Sequence, residues 1–140
     1  APRGATRSAA AAKRGARVEI VVPGKHIDQK SERLASRKHW PELIRAGVHI
    51  YEYEPGMTHV KQMIVDGAFV SVGSGNFDLR SLRLNDEANL NVLNRSFAAS
   101  QTRLFNGANS RAREITLAEA GKIGFLHPVQ HAASVLAPRM

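Results

Sequence analysis

The chain has no cysteine in its 140 residues, which excludes disulfides and thiolate metal sites and leaves the fold without a covalent staple. It also lacks any run of 18 or more apolar residues, so no segment reads as a membrane-spanning helix. Internal repeats are absent, and the only biased tract is the alanine cluster at Ala9 to Ala12. Because Lys13-Arg14 follow those alanines instead of preceding them, the start reads poorly as a secretory signal. The chain opens Ala-Pro-Arg-Gly, not with methionine, and the expectation is an excerpt of a longer product or a processed chain.

What is present suffices for one compact α/β domain and not for two: the hydrophobic content is 43%. A net charge of +8 favours anionic partners, either phospholipid head groups or nucleic acid. A merely solubilising basic surface accounts for the sign equally well.

Local patterns predict the elements. Ala5 to Arg14 reads as a helix closed by Gly15, and Arg17 to Val22 as a β-branched strand closed by Pro23-Gly24. Leu34, Trp40, Leu43 and Ile44 give an intermittent apolar face between Gln29 and Ala46, broken at Pro41, before a strand from Val48 to Tyr53. Two β-rich runs between Val60 and Val72 flank Asp66-Gly67, a strong hairpin signal. Glu87 to Leu93 reads as a further strand. Ser96 to Asn109 reads as a helix with Phe97, Leu104 and Phe105 inward, and Pro128 to Leu136 as a last amphipathic helix. The fold class expected is α/β, a mixed β-sheet with helices on both faces.

The chemistry concentrates in one stretch, His59-x-Lys61-x4-Asp66-x6-Gly73-Ser74-x-Asn76. Alternation along a strand points His59 and Lys61 the same way, placing an imidazole and an ammonium within reach of one ligand. Such a set suits a phosphate diester. Cleaving one without metal needs a nucleophile, an acid for the departing oxygen, and donors for charge on the non-bridging oxygens. Histidine serves either of the first two roles, since it titrates near neutrality. Lys61, Ser74 and Asn76 are the candidate phosphate-binding donors. Asp66 is explained sufficiently by hairpin geometry. Taken singly, each of these residues has an ordinary structural explanation; their joint spacing is what argues for a site. His26, His39 and His49 are read as structural. His127 and His131 stand four apart, but Pro128 interrupts them and no third ligand is evident, so no metal is expected.

The spacing resembles the HKD signature of the phospholipase D superfamily. Flanking segments narrow the likeness: Tyr51-Glu52-Tyr53-Glu54-Pro55-Gly56 before the motif, Asn76-Phe77-Asp78-Leu79-Arg80-Ser81 and Asn85-Asp86-Glu87-Ala88-Asn89-Leu90 after it, and Pro41 to Val48 upstream. They look like the C-terminal half of a bacterial cardiolipin synthase. The resemblance implies a phospholipase D-like half-domain at 17–110, entered by a helix at 1–16 and followed by a helical tail at 111–140. It further implies catalytic roles for His59, Lys61, Asp66 and Glu87, with Asp86 and Asp78 competing for the place of Glu87 behind the imidazole. No cofactor is implied. In that family two histidines from two motif copies share the work, one forming a phosphohistidine. This chain holds one motif, so it implies a second HKD half, in the same longer chain or by homodimerisation. Whether His59 is acid and base or nucleophile stays open. The implied substrate is an anionic phospholipid of the phosphatidylglycerol type, at the peripheral face of a bacterial inner membrane or in the cytoplasm. The alternatives are a single-motif homodimeric nuclease acting on nucleic acid, and an inactive truncated half.

Overall fold

The computed structural model describes residues 3–25, 37–56, 60–74 and 88–125. The chain begins with α1 (Arg3–Lys13), whose alanines propagate a helix and whose end is closed by Gly15 at φ +97°. Ala16 N–H donates to Ala11 O and Gly15 N–H to Ala12 O, the paired bonds of a Schellman cap. Strand β1 (Val18–Pro23) follows, then α2 (Trp40–Arg45) with Pro41 in its first turn, then β2 (Val48–Tyr53). β1 and β2 are parallel, from Val18 opposite Val48 to Pro23 opposite Tyr53. A short β6 (Ala112–Glu114) adds to β2 in antiparallel fashion, making a mixed three-stranded sheet ordered β1-β2-β6. The expected hairpin forms from β3 (Lys61–Val65) and β4 (Phe69–Gly73), and β5 (Asn89–Leu93) joins β4. These three strands hydrogen-bond as a second, antiparallel sheet.

The core is built on one face of the first sheet. Val48 and Ile50 alternate inward on β2 and meet Ala9 of α1, Trp40 and Leu43 of α2, and Ile115. Ala120 of α4 (Leu117–Phe125) completes the cluster. On the other face lies α3 (Arg95–Asn109), which crosses both sheets: Ala98 and Val70 are fully buried, Gln62 donates to Gln101, and Arg111 just beyond the helix stacks over Tyr53. The architecture is therefore α/β with helices on both faces, as expected. One element differs in detail. Leu104 was expected inward with Phe97 and Phe105, but its side chain is 67% exposed. The inner line of α3 runs through Ala98, Thr102, Phe105 and Asn109, and Leu104 lies about 100° from Phe105 around the helix. Strand β6, three residues long, carried too little periodicity to be read from sequence, and α4 falls within the stretch from 111 onward where the resemblance implied helix. The helix anticipated over Pro128 to Leu136 lies outside the described residues.

Candidate phosphate site at the open end of the hairpin

Lys61 opens β3 directly opposite Gly73, and Gly73 lies opposite Asn89, so these three residues form one row across the second sheet. Ser74 follows at the exit of β4. Its N–H donates to Ala88 O at 3.0 Å, and Ala88 N–H donates to Ser74 Oγ at 3.1 Å, a two-way clasp that holds β4 and β5 together at this end. A hydroxyl whose oxygen accepts still has its own proton to donate, so the clasp orients Ser74 without using up its capacity as a phosphate donor. A side chain at Gly73 would collide with Ala88 O and with the main chain and amide oxygen of Asn89. The glycine is required by the neighbouring strand, because Asn89 lies against the bare Gly73 backbone. Asn89 went unremarked in the sequence, and the parity of β5 against β4 is the signal that points to it.

Asp66 is at the opposite end of the hairpin, roughly 16 Å from Lys61 at the rise of a strand. It and Gly67 both have positive φ, 52° and 60°, and Ala68 N–H donates to Val65 O, the signature of a tight primed turn. The structure thus joins Lys61 and Ser74 at one end and places Asp66 at the other. His59, Asn76 and Glu87, with the competing Asp78 and Asp86, lie outside the described residues. Among the described residues no three His, Cys, Asp or Glu gather in a way that would hold a metal ion.

A second feature escaped the sequence reading. Glu52 sits on the inward face of β2, in parity with Val48 and Ile50, and is 1% exposed. Arg37 Nη2 donates to its Oε1, and Arg113 Nη2 approaches its Oε2 at 3.6 Å. The Arg37 guanidinium also stacks over Trp40, 5.1 Å from the ring centroid. Arg113 in turn pairs with Glu119, whose carboxylate accepts from Thr116 N–H at 2.9 Å and from its hydroxyl at 3.0 Å. Glu119 N–H donates back to Thr116 Oγ1 at 3.3 Å, closing a capping box at the start of α4. This polar chain ties the segment before α2, strand β2, strand β6 and α4 together. The acidic residue at an inward strand position was its available signal. A cavity of about 280 Å³ bordered by Ile44, Val48, His49, Glu114 and Thr116 lies beside the Thr116 end of this network.

Residues 5–108 match the family described as cardiolipin synthase, PLD-like domain. The chain belongs to this phospholipase D-like family. Cardiolipin synthase A of Erwinia tasmaniensis is 43% identical over 103 residues, covering 74% of this chain and 21% of the relative. The cardiolipin synthase of a Geobacillus species is 51% identical over 79 residues, 56% of this chain and 16% of that one. The chain therefore spans about a fifth of the length of the curated relatives it matches. Among solved structures, the phospholipase D family member Nuc from Salmonella typhimurium superposes with a TM-score of 0.68 at 23% identity, covering 79% of this chain and 72% of that one. That likeness establishes the fold. Among the described residues of this phospholipase D-like chain, no helix is long and apolar enough to cross a membrane.

Proposed function

We propose that this chain is one half of a phospholipase D-type phosphatidyltransferase of the cardiolipin synthase kind, acting on phosphatidylglycerol-type lipid together with a second HKD motif. The observation that supports it most is the placement of Lys61 beside Gly73 and Ser74 at one sheet end, within a stretch matching the cardiolipin synthase family. In this reading a histidine of the second motif bonds to phosphorus as the phosphorus–oxygen bond to the leaving alcohol breaks, and His59 gives that oxygen its proton. His59 then takes the proton of the incoming alcohol as its oxygen displaces the histidine. Lys61, Ser74 and Asn76 hold the non-bridging oxygens, where charge grows in each transition state. Glu87 accepts a hydrogen bond from the other nitrogen of His59 and fixes its tautomer. The test is transphosphatidylation of phosphatidylglycerol by the 140-residue chain, alone and combined with a first-motif half, against Lys61→Ala and His59→Asn variants. Both variants are expected to lose at least about a hundredfold in rate, the scale of a missing general acid or oxyanion donor. A His59→Asn variant as active as the parent would sink the reading.

A single-motif chain completing its site with a second copy is the second reading, supported by the likeness of the fold to Nuc over 79% of this chain. Nucleic acid is the substrate in that case, drawn by the +8 charge. A strictly monomeric chain that leaves DNA intact rules it out.

A further inference from the structure

The row formed by Lys61, Gly73 and Asn89 contains an acceptor oxygen that an anion cannot use. Cross-strand partners project to one face of a sheet, so Lys61 and Asn89 share a face, with the bare Cα of Gly73 between them. Their backbones stand two strand spacings apart, about 10 Å. The Asn89 side chain closes part of that gap, because its amide oxygen Oδ1 occupies the place where a side chain at position 73 would begin. That place belongs to the middle strand, one spacing from the strand that carries Lys61.

An oxygen with lone pairs and no hydrogen repels a phosphate oxygen, so at an anion site it needs a donor from the protein itself. The Lys61 ammonium is such a donor: it has three N–H groups and no acceptor, on a long flexible stem that enters the same row. No aspartate or glutamate stands in the paired rows of this face, and the acceptor that shares the row of Lys61 is a neutral amide. Neutrality matters to the chemistry. A carboxylate would cancel the charge that grips a diester, whereas an amide oxygen fixes one N–H and leaves the positive charge and two further N–H groups for the non-bridging oxygens. For Asn89 to donate to the phosphate itself, the amide would have to turn its NH2 group to Gly73 in place of the oxygen.

We propose that Asn89 is the positioning residue of Lys61: its Oδ1 accepts one N–H of the ammonium beside Gly73 and so aims the other two at the phosphate. The role rests on the phosphatidyl-transfer reading above for the identity of the diester, and adds to it the group that orients its cation. It also gives Gly73 a second purpose, since any side chain there would take the place of the amide oxygen and separate the pair.

The experiment is titration of the 140-residue chain with inorganic phosphate, comparing Lys61→Met, Asn89→Leu and the double variant. Asn89→Leu is expected to weaken binding about tenfold, the scale of one hydrogen bond to a charged group, and to cost less than about twofold once Lys61 is replaced. A side chain that only fills space beside Gly73 would lose the same factor in both backgrounds. So would one that donates to the phosphate itself, and an equal loss in the two backgrounds therefore overturns the proposal. Asn89→Asp keeps the shape of the side chain and covers the case in which the leucine variant fails to fold. At neutral pH its carboxylate pairs with the ammonium, and the loss of affinity is expected to be at least about fivefold larger with Lys61 present than in Lys61→Met. Equal losses there would be plain charge repulsion and would overturn the proposal as well. Couplings of the expected size in a protein that transfers no phosphatidyl group uphold the positioning and refute the transfer reading alone. Transfer that depends on Lys61 and is indifferent to Asn89 does the reverse.

Discussion

Replacing Glu52 by glutamine should be among the most damaging single changes in the described part of the molecule, although it alters no volume. The Arg37 side chain is 13% exposed, and its Nε is buried without a hydrogen-bond partner, so the bond from Nη2 to Glu52 is the main compensation for its charge. Removing one member of a buried ion pair leaves the other uncompensated, at about 3–5 kcal/mol. Glutamine keeps one acceptor oxygen, which places the expectation near 3 kcal/mol. The loss of Arg113 adds little, because that side chain is 52% exposed, keeps Glu119, and exposed pairs contribute up to about 1 kcal/mol. With a urea slope of about 1.5 kcal/mol per molar, the midpoint should fall by about 2 M, a large part of a domain's total stability. The double variant Arg37→Met/Glu52→Met should be less destabilised than the two single changes added together, since neither charge is then buried alone. Glu114→Gln serves as the control: it carries the same chemistry in a pair with His49 at 2.8 Å, but with both side chains about half exposed, and it should change the stability by less than about 0.5 kcal/mol. A Glu52→Gln midpoint indistinguishable from that of the control would refute the reasoning, showing that the Arg37 charge is solvated in the protein.

Two further outcomes follow from local geometry. Gly73→Ala should destabilise by about 1–3 kcal/mol, because the new methyl displaces Ala88 O and Asn89 and opens the clasp at Ser74. Gly107→Ala, inside α3 with open space around it, should stabilise by about 0.5–1 kcal/mol, and thermal denaturation of the pair gives opposite signs or the argument about β5 fails. Glu119 is held below its ordinary value of 4.5 by the Thr116 backbone N–H first, then the Thr116 hydroxyl and Arg113. A depressed carboxylate contributes stability that is present above the unfolded value and lost as pH falls through the folded one. Urea midpoints followed downward from pH 6 should therefore decline less steeply below about pH 4.5 in Glu119→Gln than in the parent.

The hairpin was legible because its signals are local. Asp66-Gly67 is tolerant of positive φ, and the β-rich runs on either side have little else to form. The closing of α1 by Gly15, at φ +97°, belongs to the same class. The likeness of the motif was equally local, since spacing along a chain needs no partner to be read. Other features waited on tertiary structure. Leu104 belongs to a helix whose inward face was chosen by packing against β4, where Val70 is as fully buried as Ala98, a long-range partner that periodicity within α3 does not contain. Strand β6 exists because β2 offers it an edge, three residues long and without a pattern of its own. Glu52 became a buried charge only when Arg37 and Arg113, from distant parts of the chain, converged on it. Sequence alone determined the turns, the caps and the chemical identity of the motif, because those depend on neighbouring backbone angles and residue types. Tertiary structure decided which polar groups lie inside and which apolar ones remain outside, because burial is a property of what packs against a residue from elsewhere in the chain.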